Sequence, residues 1–453
     1  MGSRRRRRLV VIGGDAAGMS AASQARRLDA DLEIVALERG RWTSYSACGI
    51  PYLVGGVVGD LDDLVARDPH TFRTEYNIDA RTRHEAVAVD VDKQKVKVRD
   101  LEHGGRTYTL RYDVLHLATG AIPIRPDLPG IDDDPAVHGV QTMEDAAHLL
   151  AHAEKLGPSC RVVVVGGGYI GLEMAEAFTR RGSRTTVITR SPQPLPLLDP
   201  DMGSRVAEAI RGLGVELVTG AAVEGFDGGR VSTDAGHEFE ADLVVLGLGV
   251  APDSALAGEA GLGLGDDGTI LVDRRQQTSR ENVYAAGDCC ASFHLLTGRR
   301  THVALGTVAN KQGRVAGTNI GGGYATFPGV VGTAVTKVCD LECARTGLNE
   351  EEAADAGFSF VSATVEGTTR AGYFPGAAPI AVKMLAERGS GRVLGAQIVG
   401  GEGSAKRVDV VATAITAGFD VQEASMLDLG YAPPFGPLWD PVLLAARKLA
   451  ESV

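Results

Sequence analysis

The sequence predicts an α/β protein with two Rossmann-like dinucleotide-binding domains followed by an α+β domain. A pattern of strand, glycine-rich turn, helix and strand occurs twice, over Leu9–Gly18 with Leu32–Glu38 and over Val162–Gly171 with Thr185–Thr189. The chain contains 59 glycines among 453 residues, and 44% of its residues are hydrophobic. This composition is typical of sheets joined by tight turns, as in nucleotide-binding α/β proteins.

The third part of the chain, from about residue 327, lacks a glycine-rich phosphate loop. Strand-like runs cover Phe358–Val365, Ile380–Leu385 and Val393–Val399, and an amphipathic helix is predicted near Arg407–Ala417. This mixture of strands and helix predicts an α+β domain after the two nucleotide-binding domains.

The overall composition argues against several classes of partner. The formal net charge of -12 disfavours nucleic acid and anionic membranes. The basic run Arg4–Arg8 precedes an apolar stretch, Leu9–Ile12, that is too short for a signal peptide, so we interpret it as a solvated tail. No stretch has the length of a transmembrane helix, and we expect a cytoplasmic protein. The six cysteines show no spacing typical of a disulfide framework or a metal site.

The second repeat contains a complete dinucleotide fingerprint, Gly166-x-Gly168-x-x-Gly171. In this fingerprint the glycines permit the tight turn, the approach of a pyrophosphate to the backbone and the close packing of the helix on the strand. The second strand of this repeat ends in Thr189-Arg190, without an acidic residue. Since an arginine can pair with a ribose 2′-phosphate, the sequence predicts NADPH here, with NADH less favoured; a solvated loop is the alternative role of Arg190.

The first repeat departs from the fingerprint. Gly13 and Gly18 occupy the outer positions, but Asp15 stands at the middle position, where a carboxylate crowds a pyrophosphate. Glu38 ends the second strand, where a carboxylate can bind both ribose hydroxyls. We therefore interpret this repeat as a second dinucleotide site, with a solvated strand end as the alternative role of Glu38.

Two further loops follow predicted strands. One is Ala118-Thr-Gly-Ala121, and the other is Tyr284-Ala-Ala-Gly-Asp288. Asp288 fits either of two roles, the N-cap of a helix that begins there or a ligand to the ribityl hydroxyls of a flavin.

One cysteine lies in a segment with little core character, Thr43–Tyr52. Cys48 precedes a glycine and stands near Pro51, which predicts a turn or the start of a helix. A helix N-terminus lowers the pKa of a thiol, so the sequence favours a reactive thiolate. The alternative is a buried core cysteine, against which Ser44, Ser46 and Gly49 argue.

Together these segments resemble the pyridine nucleotide–disulfide oxidoreductases, and most closely the single-cysteine branch that contains coenzyme A disulfide reductase and the related NADH oxidases and peroxidases. The motifs that carry the resemblance are the loop at Gly13, Ser44-x-x-x-Cys48-Gly-x-Pro51, the fingerprint at Gly166, Ala285–Asp288, Asn310-Lys-Gln-Gly-Arg314 and Tyr431-Ala-Pro-Pro-Phe435.

The resemblance implies an FAD-binding domain in two segments, an inserted NAD(P)H-binding domain and a dimerisation domain. We expect them at residues 1–152 and 250–326, 153–249, and 327–453. The implied assembly is a homodimer. The predicted cofactor-binding residues are Gly13, Gly14, Ala17, Gly18, Glu38, Arg39, Ala118, Thr119, Gly120, Gly166, Gly168, Tyr169, Ile170, Gly171, Arg190, Gly249, Gly287 and Asp288.

The resemblance also assigns roles near the thiol. Cys48 matches the redox cysteine, and Tyr431, with Tyr373 as a second candidate, matches a tyrosine that reaches the active site of the partner subunit. The residues that match a coenzyme A site are Ser20, Gln24, Arg27 and Ser44. Ala47 stands where coenzyme A disulfide reductases often carry Asn.

The expected activity is FAD-dependent, NAD(P)H-driven reduction of coenzyme A disulfide or a related small disulfide through Cys48. Leu53 occupies the position of the second cysteine in C-x-x-x-x-C, which excludes the two-cysteine reductases. An oxidase or peroxidase of the same branch is the first alternative, although those enzymes typically place a histidine where this chain has Ala16. A redox-sensing flavoprotein that acts through a protein partner is the alternative from another class.

Overall fold

The structure is a computed structural model that describes residues 6–453. Arg4 and Arg5 of the predicted basic tail lie outside the described residues. Arg8 opens the first strand, and its backbone N–H donates to Asp113 Oδ2 at 2.7 Å. The tail is therefore shorter than predicted, because Arg8 belongs to the sheet.

The chain contains two βαβ units in its first two thirds, with runs of strands between helices, and a mixture of strands and helices in its last third. The α-helices are α1 Ala16–Leu28, α2 Ile50–Val54, α3 Pro69–Tyr76, α4 Met143–Leu156, α5 Tyr169–Arg180, α6 Pro200–Gly212, α7 Ala255–Glu259, α8 Gly306–Ile320, α9 Glu350–Asp355, α10 Val408–Ala417, α11 Val421–Ser425 and α12 Pro441–Ala450. The strands are β1 Arg8–Ile12, β2 Glu33–Leu37, β3 Asp79–Arg81, β4 His84–Asp90, β5 Lys95–Asp100, β6 Arg106–Arg111, β7 Val114–Leu117, β8 Ala121–Pro123, β9 Val137–His138, β10 Arg161–Val165, β11 Arg184–Thr189, β12 Glu216–Thr219, β13 Val223–Asp227, β14 Arg230–Thr233, β15 Glu238–Glu240, β16 Leu243–Leu246, β17 Val250–Pro252, β18 Val283–Ala285, β19 Ala291–Phe293, β20 Arg300–His302, β21 Ala334–Val338, β22 Leu341–Gly347, β23 Phe360–Thr368, β24 Pro379–Glu387 and β25 Val393–Gly400.

The first parallel sheet has the strand order β18-β7-β1-β2-β3. Its central strands β1 and β7 are almost entirely buried, as expected where other elements cover both faces of a parallel sheet. Helices α1 and α8 pack closely against each other, because Gly313 and Gly317 of α8 lie against Ala17 and Ala21 of α1. A Cβ atom at either glycine would lie 2.3 Å from the carbonyl oxygen of the alanine opposite.

The second parallel sheet has the order β12-β11-β10-β16-β9. Its edge strand β9 pairs with β16, and helix α4 contributes Met143 and Leu149 to the core around Val162 and Leu172. Residues 137–156 therefore pack with the second sheet, whereas the predicted division at 152/153 would assign most of them to the first. The chain crosses between the two layers at the antiparallel pair β8 and β17.

The C-terminal domain contains an antiparallel sheet of order β21-β22-β25-β24-β23. Helices α10 and α12 share one apolar core with β24 and β25. The predicted α+β character is confirmed, and the predicted helix near residues 407–417 corresponds to α10.

No helix among residues 6–453 combines the length and the apolar composition that a bilayer crossing requires. The cytoplasmic location stays a prediction.

Candidate active site

The first glycine-rich turn follows β1 and leads into α1. Gly13 has a φ of +111°, and a Cβ atom there would lie 1.9 Å from the carbonyl oxygen of Ala118. A Cβ atom at Gly18 would lie 1.9 Å from the carbonyl oxygen of Gly13. Only glycine fits these two positions, and Ala118, at the end of β7, forms the neighbouring wall.

Glu38 lies directly after β2 and faces this turn. Its Oε2 accepts the N–H of Gly14 at 2.8 Å, and its Oε1 accepts the N–H of Gly40 at 2.7 Å. Burial raises the pKa of Glu38, although these two hydrogen bonds oppose the shift. A cavity of about 250 Å³ opens beside Glu38 and Arg39 and is bordered by Trp42. A carboxylate at the mouth of this cavity is placed to meet ribose hydroxyls.

Asp15 occupies the middle position of the turn and precedes α1. Its Oδ1 accepts the backbone N–H of Tyr45 at 3.1 Å. Burial raises the pKa of Asp15 to about 7, and the nearby carboxylates of Glu38 and Asp288 add to the shift. Asp15 is therefore largely protonated below neutral pH, which reduces the charge that a pyrophosphate would meet.

Asp288 lies in the turn between β18 and β19, so the predicted helix at this position is wrong. The backbone turns at Gly287, whose φ is +87°. The N–H of Gly287 donates to Gln312 Oε1 at 2.9 Å. The Oδ1 atom of Asp288 is buried and has no hydrogen-bond partner among residues 6–453. An unpaired buried carboxylate oxygen indicates a missing donor, as a ligand hydroxyl would provide.

The second glycine-rich turn repeats the backbone of the first. Gly166 has a φ of +120°, and a Cβ atom there would lie 2.2 Å from the carbonyl oxygen of Gly247. A Cβ atom at Gly171 would lie 2.0 Å from the carbonyl oxygen of Gly166. Gly168 is the N-cap of α5, and Tyr169 and Ile170 form the first turn of that helix. The N–H groups of this turn form an anion-binding helix start.

The end of β11 differs from the end of β2. Thr189 is buried there, and Arg190 is exposed at the surface. The side chain of Thr189 lies against Gly167, where a Cβ atom would come within 3.1 Å of it. Thr189 is therefore the counterpart of Glu38, and Arg190 is the counterpart of Arg39, so the second unit lacks the carboxylate of the first.

The remaining predicted cofactor-binding residues lie where the two layers meet. Ala118, Thr119 and Gly120 connect β7 to β8, and the Thr119 hydroxyl donates to the carbonyl oxygen of Asp253. Gly249, with a φ of +89°, directly precedes β17, the partner strand of β8. These residues lie where the chain passes between the first and the second parallel sheet.

Cys48 lies in a 3-10 turn, Ala47–Gly49, which leads into α2. The residue is exposed, and the turn packs so closely that a Cβ atom at Gly49 would lie 2.3 Å from Leu64. Desolvation raises the pKa of the Cys48 thiol, and the carboxylate of Glu173 adds to the increase. The predicted lowering of this pKa by a helix N-terminus is wrong, because desolvation, with a smaller contribution from nearby carboxylates, outweighs the short helix start.

Sequence reasoning missed Glu173, which lies on α5 of the second unit and yet acts on the thiol of the first. Its Oε1 accepts the Thr336 hydroxyl at 2.7 Å, and burial raises its pKa. The available signal was an acidic residue between the buried Leu172 and Met174 in the first half of α5.

The predicted coenzyme A residues lie mostly along α1. Ser20 Oγ donates to Asn310 Oδ1 of α8 at 2.6 Å, and Gln24 Nε2 donates to Thr318 Oγ1 at 3.2 Å. Arg27 Nη1 donates to Gln24 Oε1 at 3.1 Å. The three side chains therefore form one polar stripe on the outer face of the helix pair.

Ser44 lies apart from this stripe, in the segment before Cys48. It has a φ of +48°, and its N–H donates to the carbonyl oxygen of Gly14 at 2.9 Å. This bond ties the segment that carries the thiol to the first glycine-rich turn.

The two predicted tyrosines lie close to each other on the C-terminal domain. Tyr373 is 78% exposed and Tyr431 is 48% exposed. Desolvation raises the pKa of Tyr373, and the neighbouring Tyr431 raises it further. Arg407 holds the two segments together, because its guanidinium donates to the carbonyl oxygens of Thr369 and Phe435.

Comparison with known families identifies the family of the chain from matches over most of its length. The pyridine nucleotide-disulphide oxidoreductase model matches residues 7–313, and the dimerisation domain of the same name matches residues 333–440. The chain belongs to this family. It is accordingly an NAD(P)H-dependent flavoprotein oxidoreductase.

Three curated relatives are similar over almost their full length. A Pyrococcus horikoshii protein named NAD(P)H coenzyme A polysulfide/persulfide reductase is 39% identical, over 99% of this chain and 100% of the relative. An NADH oxidase from Methanocaldococcus jannaschii is 37% identical, over 98% and 99%. A coenzyme A disulfide reductase from Staphylococcus epidermidis is 28% identical, over 97% and 99%.

Two solved structures are informative. Reduced CoADR-RHD from Bacillus anthracis has a TM-score of 0.96 and 35% identity, over 99% of this chain and 81% of that chain. An engineered water-forming NADPH oxidase, derived from the Lactobacillus brevis NADH oxidase, has a TM-score of 0.93 and 26% identity, over 98% and 99%. That oxidase has, among its five substitutions, Asp, Ala and Met replaced by Ala, Arg and Ser at three consecutive positions, and its structure contains bound NADPH.

The residues of the first unit fit the FAD that the family uses. The unpaired Oδ1 of Asp288 is an acceptor for a ribityl hydroxyl, and Glu38 borders a cavity suited to the adenosine ribose. At Gly13 and Gly18 the backbone leaves no room for a side chain. Among residues 6–453, no group of three or more His, Cys, Asp or Glu side chains is arranged to hold a metal ion.

Proposed function

We propose that this chain uses NADPH to reduce coenzyme A disulfide, or a closely related small disulfide, at Cys48. The observation that carries the proposal is the lone exposed thiol, with Leu53 at the position of the second cysteine of the two-cysteine reductases. With one cysteine in the motif, the oxidised enzyme must store its oxidation with an external thiol or as a sulfenic acid. The name of the Pyrococcus relative, which includes coenzyme A, supports an external thiol of this kind.

The residues of the chain then have distinct tasks. Cys48 forms a mixed disulfide with one half of the substrate, and the other half leaves as a thiolate. Ser20, Gln24 and Arg27 bind the polar part of the thiol carrier, for which Arg27 is suited as a phosphate ligand. FAD, once bound, supplies the two-electron relay between nicotinamide and sulfur. Tyr431 of a second copy of the chain donates a proton to the leaving thiolate.

Preference for NADPH rests on the end of β11. The run Thr189-Arg190-Ser191 contains no acid, and it has the Arg-Ser pair that the engineered NADPH oxidase gained. A guanidinium can form charge-assisted hydrogen bonds with a 2′-phosphate, whereas an acid would repel it.

A homodimer completes the proposed site. The C-terminal domain exposes large apolar side chains, among them Met426, Phe435, Leu438 and Trp439, close in sequence to Tyr431. Exposed apolar clusters of this kind mark interaction surfaces. Light scattering of the active protein should give the mass of two chains, and an active monomer would contradict this arrangement.

Mass spectrometry of the purified protein tests the central proposal. We expect a small thiol on Cys48 and NADPH-driven reduction of coenzyme A disulfide that Cys48→Ser abolishes. Cys339→Ser, which removes another partly exposed thiol, is the matched control and should keep the activity.

The oxidase alternative has support from the Methanocaldococcus relative. Ala16 argues against it, because an alanine can neither hydrogen-bond a peroxide nor donate a proton. The proposal fails if the enzyme turns over oxygen or hydrogen peroxide faster than every disulfide in a panel of coenzyme A, glutathione and cystine disulfides.

A further inference from the structure

The segment between β11 and α6, residues 190–199, is here called the 190–199 loop. It begins with Arg190, and the carbonyl oxygen of Ser191 accepts the N–H of Gly220 at 3.0 Å. In its middle, the N–H of Leu195 donates to the carbonyl oxygen of Gly167 at 2.8 Å, within the phosphate-binding turn. Leu195 has a φ of +47° and is buried, so its environment holds it in a conformation that a leucine rarely adopts.

The far end of the loop is bound by the C-terminal domain. Asp199 is 3% exposed. Its N–H donates to Gln397 Oε1 of β25 at 2.7 Å, and its Oδ2 accepts from Gln397 Nε2 at 2.7 Å. Its Oδ1 accepts the N–H of Glu350 at 3.1 Å. Two residues earlier, the carbonyl oxygen of Leu197 accepts from Arg345 Nη1 at 3.2 Å.

A buried cation stands at the centre of this contact. Lys383 of β24 has a side chain only 6% exposed, and its Nζ lies 3.0 Å from Asp199 Oδ2, 2.8 Å from Asp201 Oδ1 and 3.1 Å from Glu350 Oε1. Burial by itself lowers the pKa of Lys383, but its hydrogen bonds to these three carboxylates raise the pKa above its usual value. The ammonium group therefore stays charged at neutral pH.

Such a cluster fixes the positions of its side chains more than it increases the free energy of unfolding. Desolvating several charges costs free energy that their attraction offsets only when the geometry is good, and an apolar replacement is often no less stable. What the cluster does provide is a fixed direction for the 190–199 loop relative to the phosphate-binding turn. The loop is held at Gly167 on one side and at Lys383 on the other, with Arg190 at its start.

We propose that Lys383 is a positioning residue for NADPH, which through Asp199 fixes the 190–199 loop so that Arg190 and Ser191 face the ribose 2′-phosphate. The C-terminal domain then tunes the choice of nicotinamide cofactor as well as dimer formation. This inference rests on the proposed preference for NADPH.

The test uses calorimetry on the FAD-loaded, full-length protein with two probes, 2′,5′-ADP and 5′-AMP, which differ only in the 2′-phosphate. In the wild type, 2′,5′-ADP should bind more tightly. Lys383→Met should weaken 2′,5′-ADP binding about tenfold, the loss of one charge-assisted contact, and leave 5′-AMP binding within about twofold. The KM for NADPH should rise while kcat at saturation is kept. Lys337→Met, which removes an exposed lysine from β21 of the same sheet, is the matched control and should change neither affinity.

The two proposals fail in distinguishable ways. If wild-type protein binds both probes equally, the NADPH preference is wrong. If the wild type prefers 2′,5′-ADP and Lys383→Met keeps that preference, or weakens both probes equally, the positioning role is wrong. If Lys383→Met does not fold, Asp199→Asn replaces it, since that change removes one carboxylate and leaves Lys383 paired with Asp201 and Glu350. Asp199→Asn must then weaken the binding of 2′,5′-ADP and leave the binding of 5′-AMP unchanged.

Discussion

The two dinucleotide-binding units have nearly the same backbone, but the first carries two acidic side chains that the second lacks. Gly13 and Gly166 both adopt positive φ and both lie against the carbonyl oxygen of a neighbouring strand end. At the middle position, however, the first unit has Asp15 and the second has Gly168. At the end of the second strand, the first unit has Glu38 and the second has Thr189, and an arginine follows in both, Arg39 and Arg190. We therefore expect the backbone to fix where a pyrophosphate lies and these few side chains to decide which dinucleotide each unit accepts.

The largest expected effect tests the shared backbone. Gly13→Ala and Gly166→Ala should each destabilise the protein by more than about 3 kcal/mol, because strain at positive φ is added to a clash with a carbonyl oxygen. Gly168→Ala is the matched control, since a Cβ atom there would meet no heavy atom of residues 6–453 within 4 Å beyond its chain neighbours. Denaturant unfolding and bound-FAD content measure the outcome. Equal stability of all three variants would contradict the comparison.

The turns were predictable from sequence because their requirements are local. A tight turn against a strand end needs glycine at fixed spacing, and Gly13, Gly18, Gly166 and Gly171 lie where that spacing predicts. The helix predicted at Asp288 was wrong because a residue suited to an N-cap is equally suited to a turn.

Features that join distant parts of the chain were missed. Lys383 and Asp199 are far apart in sequence and meet only after the second and third domains have packed. The pairing of β9 with β16 is another such contact, and the predicted end of the first FAD-binding segment stays a prediction. The shift in the pKa of Cys48 was predicted with the wrong sign because burial of the thiol and, to a smaller extent, Glu173 on another domain both raise it.

The next prediction concerns Asp15, which distinguishes the first unit from the second. Its pKa is raised from 3.8 to about 7 in the folded chain, so folding favours the protonated form. The folded state therefore carries no penalty below about pH 4, and the penalty grows up to about pH 7 and is complete above it. A shift of this size corresponds to at most about 4 kcal/mol.

Asp15→Asn should remove this penalty, since an amide oxygen can still accept the N–H of Tyr45. In FAD-free protein, the free energy of unfolding of the variant should exceed that of the wild type by an amount that increases from pH 4 to pH 7 and then levels off. Guanidinium titrations at several pH values measure the difference. A difference that does not change with pH would show that Asp15 titrates normally.

The strand ends give the third prediction. Arg190→Glu places an acid next to Thr189, the counterpart of Glu38, and it should reverse the preference between NADPH and NADH. One charge-assisted phosphate contact contributes about 1.5–3 kcal/mol, or about ten- to a hundredfold in kcat/KM for NADPH. Arg184→Glu, at the exposed start of the same strand, is the control and should leave the ratio unchanged. Wild-type preference for NADH would overturn the argument from Arg190.

The smallest expected effect concerns Glu173, where the second unit meets the thiol of the first. Its carboxylate raises the pKa of Cys48, so Glu173→Gln should lower that pKa and increase the thiolate fraction at neutral pH. The Thr336 hydroxyl can still donate to the amide oxygen of the variant, which keeps the helix in place. Alkylation of Cys48 by iodoacetamide, followed by mass spectrometry from pH 6 to 10, should become a few-fold faster below the midpoint, with the midpoint moved to lower pH. Glu176→Gln, one turn further along α5, is the matched control, because Glu176 contacts Arg180 and the backbone of Cys339 instead. If both variants alkylate at the wild-type rate, Glu173 does not affect the reactivity of Cys48, and the second unit has no electrostatic influence on the sulfur through this residue.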